Sequence, residues 1–275
     1  MSRIAICAPS TPITRDVAER VTALAAAEFP QLELHFHEQC FAEDGHFAGN
    51  DPVRLSALLE CTNDAGFDAV WFAKGGYGAN RIAAQAIAEF GDAARNKTFL
   101  GYSDCGYLLA ALYRDRLGYP VHGPMPVDIR REGGEAAVRR ALAWLAGDAA
   151  GLEPSLDNRP RAAFNLITLA MLCGTELMPV LAGHVVMIEE VAEHLYAVDR
   201  LFFHVSQHLR GIAGLRLGRI SAVPENDRPF GSSAEQIARD WCERSGIPFL
   251  GPADIGHDAD NRIVPFGLAR TPGRS

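Results

Sequence analysis

The chain has 275 residues, of which 48% are hydrophobic, and its 34 acidic and 26 basic residues give a formal net charge of −8. Such a composition is that of a globular protein with a substantial core, long enough for two compact units. The acidic balance excludes nucleic acid as an expected partner. No apolar run reaches the ~20 residues that span a bilayer, and residues 1–4 lead directly into a strand pattern, so we expect a cytoplasmic protein with no membrane partner.

The first half of the chain alternates short strand patterns with helix patterns. Strands are predicted at residues 3–8, 32–36, 68–72 and 98–100, and helices near 17–25, from 51 to about 65, at 107–113 and at 133–145. This alternation is typical of a parallel α/β sheet. The carboxyl ends of such strands collect ligands, and the loops at residues 74–78 and 101–106 both follow strands. The glycine-rich loop at 74–78 lacks the spacing of a Rossmann fingerprint or a P-loop, so we do not interpret it as a nucleotide cradle.

Residues 146–160 lack periodicity and are interpreted as a connector. The pattern beyond them predicts a helix at 165–172, a strand at 184–188, a helix at 195–209, a strand at 215–223 and a helix ending near 243 that begins with a Ser232–Glu235 capping box. We therefore predict an α/β protein. Its domains are a Rossmann-like parallel-sheet domain at 1–145 that carries the nucleophile, a linker at 146–162, and a smaller α/β domain at 163–275.

The hexapeptide Gly101-Tyr102-Ser103-Asp104-Cys105-Gly106 places a serine where a strand gives way to a helix. A serine there is either a helix N-cap or a nucleophile beside backbone amides, and this segment alone leaves both open. Ser103, Glu189 and His257 each lie near the end of a predicted strand or in a late loop, in the order of the α/β-hydrolase triad. Cys105 occupies the second glycine of the G-x-S-x-G elbow, which argues against an ordinary esterase.

Several other residues have side chains that could take part in catalysis or bind a metal ion. Glu190 is the nearest rival to Glu189 as the acid, and Cys105 is interpreted as a buried structural thiol. The six cysteines contain no C-x-x-C pair, which predicts reduced thiols. The pairs His35/His37 and His204/His208 lack a third ligand at recognisable spacing, so no metal site is predicted. Trp71, Phe202 and Phe203 are interpreted as core residues.

A set of motifs in a fixed order carries a family resemblance. The motifs are Gly75-Gly76-Tyr77-Gly78, Gly101-Tyr102-Ser103-Asp104, His122-Gly123-Pro124, Asn165-Leu166, Gly174-Thr175, Glu189-Glu190-Val191-x-Glu193, Tyr196 with Asp199-Arg200, and Gly256-His257. Together they resemble the LD-carboxypeptidases, the serine peptidase family that also contains the microcin C self-immunity peptidases. The similarity extends over nearly the whole chain.

The resemblance implies a serine carboxypeptidase with a triad of Ser103, Glu189 and His257 and an oxyanion hole formed by the amides of Gly76 and Asp104. The implied substrate is the L,D-linked murein tetrapeptide, whose terminal D-alanine is released during peptidoglycan recycling, with no metal or organic cofactor. Lys74 and Arg200 are candidate ligands for the terminal carboxylate of that substrate.

The chain departs from the family pattern at three places: Lys74 replaces an arginine, Phe164 stands where relatives tend to carry glycine, and Cys105-Gly106 follows the serine motif. These departures bear on the substrate more than on the reaction. Two alternatives therefore stay open: a hydrolase of peptidyl or aminoacyl nucleotides of the microcin C self-immunity type, and a non-catalytic peptide-binding protein of the same fold. Stereochemical preference and a homodimeric assembly are also left open.

Overall fold

The computed structural model describes residues 1–268, which form two sheets. The first sheet has six strands in the order β10-β5-β4-β3-β1-β2. They are β1 (Ser2–Cys7), β2 (Leu32–Phe36), β3 (Ala69–Phe72), β4 (Thr98–Gly101), β5 (Tyr119–His122) and β10 (Val264–Pro265). Neighbouring strands are parallel except for β10, which is antiparallel to β5.

Helices cover both faces of this first sheet. They are α1 (Arg15–Glu28), α2 (Asp51–Asn63), α3 (Ala79–Glu89), α4 (Gly106–Asp115) and α5 (Gly134–Leu145). Ile4 and Ile6 of β1 face a core built with α1 and α5, whereas Ala5 and Cys7 face the core that holds α2, α3 and α4. Because both faces of the strand are covered from residue 4 onward, residues 4–7 are apolar without alternation.

The second sheet has four parallel strands in the order β6-β7-β8-β9. Its strands are β6 (Arg161–Asn165), β7 (Val185–Val191), β8 (Gly214–Ser221) and β9 (Phe249–Pro252), with helices α6 (Leu166–Leu172), α7 (Leu195–His208) and α8 (Ala234–Ser245). The predicted fold class, a parallel-sheet α/β unit followed by a smaller α/β unit, is confirmed. None of the helices in residues 1–268 is long and apolar enough to cross a membrane.

Several local predictions are corrected by the structure. Strands β5 and β6 and helix α3 were not predicted, and β7 continues three residues past its predicted end to include Glu189 and Glu190. Helix α2 starts at Asp51 as predicted but ends two residues earlier, at Asn63, and Asn50 caps it by accepting from the Val53 amide. The capping box of α8 lies one residue later than predicted, at Ser233 and Gln236.

The chain returns to the first sheet after completing the second. Strand β9 belongs to the second sheet, while β10, inside the predicted domain 163–275, pairs with β5 of the first. The segment between β9 and β10 carries His257 and therefore spans the two sheets. The division at 1–145, 146–162 and 163–275 stays a prediction.

Candidate active site

Ser103 lies at a sharp elbow between β4 and α4. It opens a 3₁₀ turn, Ser103–Cys105, and its φ of +59° lies in the left-handed region, which is uncommon for residues other than glycine. The cap positions of the 3₁₀ turn and of α4 are Tyr102 and Cys105, and neither makes a side-chain cap hydrogen bond. The Ser103 hydroxyl is thus not used as a cap, and the strained backbone presents it to the cleft.

His257 is paired with a buried carboxylate. Its Nδ1 lies 2.5 Å from Oε2 of Glu189, and the two side chains are 8% and 0% exposed. With Nδ1 donating to the carboxylate, Nε2 is the nitrogen left to exchange a proton with a nucleophile. Burial lowers the pKa of His257, but the charge and hydrogen bond of Glu189 outweigh this effect and the pKa lies above its ordinary value.

The adjacent acid, Glu190, is occupied by structural hydrogen bonds. Its carboxylate accepts from Asn165 Nδ2 at 2.7 Å and from the amides of Ile167 and Val191 at 2.8 Å each. Burial raises the pKa of the Glu190 carboxyl, and these hydrogen bonds offset part of that effect. Successive strand residues face opposite sides of the sheet, so of the two neighbouring acids it is Glu189 that reaches His257.

The loop that carries His257 is held from both halves of the molecule. Arg219 of β8 binds Asp254 at 2.5 Å and Asp258 at 2.8 Å on either side of the histidine. From the first half, Arg131 Nη1 donates to the carbonyl oxygen of His257 at 2.5 Å. The imidazole is therefore positioned by ion pairs and a backbone contact as well as by Glu189.

Tyr102 packs against the histidine and is itself held by Asp128. The Tyr102 ring lies 4.8 Å from the His257 ring between centroids, and its hydroxyl donates to Asp128 Oδ1 at 2.8 Å. Burial, together with the charge of Asp128, raises the pKa of the Tyr102 phenol well above its ordinary value, so the phenol stays a donor. Sequence reasoning missed Tyr102, Asp128 and Arg131; Tyr102 adjoins the serine, but the other contacts have no motif.

Ser103 and His257 line one cleft of about 1170 Å³ together with Lys74, Gly76 and Asp104. Glu189 lies behind His257 and is fully buried. Burial lowers the pKa of the Lys74 ammonium, and the nearby charge of Arg130 lowers it further. The cleft wall thus brings together every predicted site residue except Glu189 and Arg200.

Arg200 lies outside the set of residues that line the cleft. It is an exposed residue of α7, and its guanidinium lies 5.8 Å from the centroid of the Tyr196 ring. Arg130, which sequence reasoning did not single out, lines the cleft instead. Its side chain forms no ion pair or hydrogen bond with the residues that the structure describes.

The glycine loop lies directly against the serine elbow. A Cβ on Gly75 would be 3.0 Å from Ser103 Oγ and 3.3 Å from the amide nitrogen of Asp104, so only glycine leaves this space open. Gly76 has a φ of +107°, which a side chain would strain. Two backbone amides predicted for an oxyanion hole, those of Gly76 and Asp104, therefore belong to segments that meet beside Ser103.

The three departures have separate structural places. Cys105 is fully buried, and burial raises the pKa of its thiol well above the ordinary value, as expected for a structural thiol. Phe164 is 1% exposed and packs against Phe266, at 5.3 Å between ring centroids, rather than lining the cleft. Of these three departures, only Lys74 lines the cleft, and its side chain brings a charged group to the cleft wall.

Two of the three aromatic residues predicted to lie in the core are buried. Trp71 and Phe202 are buried as predicted, but Phe203 is 53% exposed and packs edge-on against Trp241, so the prediction of a core residue was wrong there. Within residues 1–268, no group of three or more His, Cys, Asp or Glu side chains is arranged to hold a metal ion.

Two family models match this chain. The model of the LD-carboxypeptidase N-terminal domain matches residues 4–123, and the model of the LD-carboxypeptidase C-terminal domain matches residues 163–271. The chain is similar to the murein tetrapeptide carboxypeptidase of Pseudomonas aeruginosa, with 27% identity over 96% of this chain and 91% of that protein. It is also 28% identical to the probable murein peptide carboxypeptidase of Bacillus subtilis, over 96% of this chain and 86% of that protein.

Solved structures share the fold. The muramoyltetrapeptide carboxypeptidase of Oxalobacter formigenes superposes with a TM-score of 0.78 at 22% identity, covering 98% of this chain and 96% of that one. The microcin C7 self immunity protein also superposes with a TM-score of 0.78, at 18% identity, covering 97% of this chain and 91% of that one. At these identities the superpositions establish the architecture alone.

Proposed function

Because this chain belongs to the LD-carboxypeptidase family, we propose that it is a serine peptidase that releases the terminal D-alanine from L,D-linked murein tetrapeptide. The observation that carries the proposal is the 2.5 Å contact between His257 Nδ1 and Glu189 Oε2, with the histidine lining the same cleft as Ser103. The curated relatives that act on murein peptides support this substrate class. We assign the activity to peptidoglycan recycling in the cytoplasm.

The proposed reaction proceeds through an acyl-enzyme. Ser103 Oγ attacks the carbonyl carbon of the scissile bond while His257 Nε2 takes the hydroxyl proton, and Glu189 stabilises the resulting imidazolium. The histidine then protonates the departing amine of D-alanine. Water, deprotonated by the same histidine, cleaves the ester and restores Ser103.

Charge in the tetrahedral intermediate is held by backbone amides in this proposal. The amides of Gly76 and Asp104 donate to the oxyanion, in a site where the glycine loop approaches Ser103 without a side chain between them. Lys74 and Arg130, two of the cations that line the cleft, bind the terminal carboxylate of the substrate, while the third, Arg131, is held by Asp128 and the His257 carbonyl.

The direct test is incubation of the protein with L-Ala-γ-D-Glu-meso-diaminopimelate-D-Ala and detection of the tripeptide by mass. We expect D-alanine release by the wild-type protein and none by Ser103→Ala. Equal release by Ser103→Ala, or none by the intact protein, would overturn the proposal. Parallel reactions with an aminoacyl sulfamoyl adenosine measure the nucleotide-directed alternative by relative rate.

A binding protein without catalysis makes a different prediction. It would bind the tetrapeptide undiminished after substitution of Ser103, Glu189 or His257 and would not react with a fluorophosphonate. We expect the fluorophosphonate to label the wild-type protein at Ser103 and to leave Ser103→Ala unlabelled.

A further inference from the structure

The loop that follows β1 lies along the glycine loop and the serine elbow. Ser10 Oγ donates to Asp104 Oδ2 at 2.5 Å, Thr11 Oγ1 donates to the Gly75 carbonyl oxygen at 2.6 Å, and Lys74 Nζ donates to the Pro12 carbonyl oxygen at 3.3 Å. The proposed oxyanion hole is thus supported by a segment that contributes no residue to the cleft wall.

The Thr11 contact fixes the direction of one particular amide. The Gly75 carbonyl and the Gly76 N–H belong to the same peptide group, which is planar and trans, so they point in opposite directions. A hydroxyl that holds the carbonyl on one side therefore holds the N–H on the other. We propose that Thr11 is a positioning residue that keeps the Gly75–Gly76 peptide oriented with its N–H toward the oxyanion.

The peptide needs such an anchor because both of its residues are glycines. Glycine populates left-handed and right-handed backbone conformations with little preference, so rotation of this peptide is not limited by side chains. Gly76 is held at a φ of +107°, and a Cβ there would be 2.7 Å from Thr11 Cγ2. Thr11 itself is only 5% exposed, so water does not readily replace its hydroxyl at the Gly75 carbonyl. Rotation would turn a carbonyl oxygen toward the developing negative charge.

The residue that carries the second amide of the proposed hole is anchored through its side chain. The Asp104 carboxylate accepts from Ser10 Oγ and, at 2.9 Å, from the amide of Ala79 at the start of α3. Ser10 thus holds the side chain of Asp104, whereas Thr11 holds the peptide group that carries the Gly76 N–H itself. The inference about Thr11 rests on the proposed function, because it assigns the Gly76 amide to the oxyanion.

Thr11→Val tests the inference, since it keeps the shape of the side chain and removes its hydroxyl. We expect kcat for the tetrapeptide to fall about 10- to 100-fold, up to the loss seen when an oxyanion donor is removed, with KM within about twofold of wild type. Thr11→Ser keeps the hydroxyl and loses the methyl group. It is the matched control, and its kcat should stay within about threefold of wild type.

A fluorophosphonate gives a readout that does not depend on the natural substrate. Its reaction with Ser103 also develops charge on an oxygen, so the second-order rate of labelling should fall in Thr11→Val and recover in Thr11→Ser. Equal kcat and labelling rate in Thr11→Val and wild type, or equal losses in both variants, would overturn the inference. Failure of the proposed function looks different: the wild type then releases no D-alanine, while the labelling comparison still reports on Thr11.

Discussion

At the scale of single residues, His257 is subject to opposing effects on its charge. Burial favours the neutral imidazole, while Glu189 favours the imidazolium and prevails, which raises the pKa of His257. A base with a raised pKa accepts the serine proton more strongly but is neutral over a narrower range of acidic pH. In the proposed reaction, Glu189 therefore strengthens the base and fixes its tautomer, and the pH dependence of the rate reports the first of these effects.

Replacing Glu189 by glutamine should shift the pH dependence. In the wild type, we expect kcat/KM to rise as pH passes upward through the raised pKa of His257, because the neutral form is the proposed base. In Glu189→Gln the carboxylate charge is gone and burial remains, so the acidic limb moves to lower pH. The plateau of kcat/KM falls roughly 10³- to 10⁴-fold, as for a triad whose acid is replaced by an amide. Rates from about pH 4 to pH 9 measure both changes.

Glu190→Gln is the matched control for that experiment. The Glu190 carboxylate accepts hydrogen bonds from three N–H donors. A glutamine side chain in its place would direct its own NH₂ group at one or more of these donors and leave them without an acceptor. The free energy of unfolding should therefore fall. The acidic limb of kcat/KM should stay in place because Glu189 still faces His257. An acidic limb that moves equally in both variants would contradict the assignment of Glu189 as the partner of His257.

The two arginines give a second prediction at this scale. Arg130→Ala should raise KM for the tetrapeptide about tenfold, because a charge-assisted contact to the terminal carboxylate is lost. Arg200→Ala should leave KM within about twofold, because Arg200 lies outside the cleft wall. Initial rates should be repeated with a tetrapeptide whose terminal carboxylate is an amide. If Arg130→Ala weakens binding of the amide as much as of the acid, Arg130 does not bind the carboxylate.

At the scale of elements, the histidine depends on a loop that joins the two sheets. The loop leaves β9 and returns as β10, and Arg219 on β8 holds it at Asp254 and Asp258. The pKa values of Arg219 and Asp254 are displaced in the direction that favours the ion pair, although burial opposes it in each case. The ion pairs of Arg219 with Asp254 and Asp258 thus position His257 relative to β7 as well as to the serine elbow.

Arg219→Met should therefore reduce turnover without removing a group from the cleft wall. We expect kcat to fall about tenfold, since a displaced general base costs rate even when it remains present. Arg216→Met, on the same strand, loses contacts to the Leu250 and Pro252 carbonyls and is the control, with kcat within about threefold of wild type. Steady-state kinetics with circular dichroism on both variants measures this. Equal losses of kcat would show that β8, not the ion pairs of Arg219, matters.

How far sequence reasoning reaches is clearest in particular elements. Strands β1, β3 and β4 follow from apolar runs, because both of their faces are buried. The edge strand β2 follows from alternation instead, since Glu33 and His35 are exposed between more buried residues. Strand β5 has only four residues, one of them Pro120, so no pattern distinguishes it from a loop. Helix α3 did carry a signal, since Ile82, Ala83, Ala86 and Ile87 share a buried face, but its position directly after the glycine loop obscured it.

Sequence reasoning identifies the candidate residues that lie in ordered motifs and not those whose contacts are distant in sequence. Ser103, Glu189 and His257 were found through their order and their family motifs, whereas Arg131 reaches His257 across 126 positions with no motif. Arg130 and Arg200 cannot be ranked from the sequence, because only the packing of the helices decides which cation faces the cleft. The alternation of side chains along β7 likewise decides which of Glu189 and Glu190 reaches His257.

At the scale of the whole molecule, the two sheets share one hydrophobic core. Phe72 and Leu108 of the first part and Phe164 and Ile188 of the second belong to the same buried cluster. Phe164 Cδ1 is 3.8 Å from the position that a Cβ on Gly106 of α4 would occupy, so β6 packs closely on that helix. Strand β10 also pairs with the first sheet, so neither part of the chain covers its apolar surface without the other.

Unfolding should therefore be a single cooperative transition. Scanning calorimetry of the wild type is expected to give one peak with calorimetric and van't Hoff enthalpies in agreement. Phe164→Ala removes a ring that is 1% exposed at the junction, at a cost of ~3–5 kcal/mol, and should lower the midpoint by roughly 10 °C. Because the cavity opens in a core common to both sheets, the peak should move without splitting. A second peak in the variant, with one part melting at the wild-type temperature, would show that the two sheets are stabilised separately.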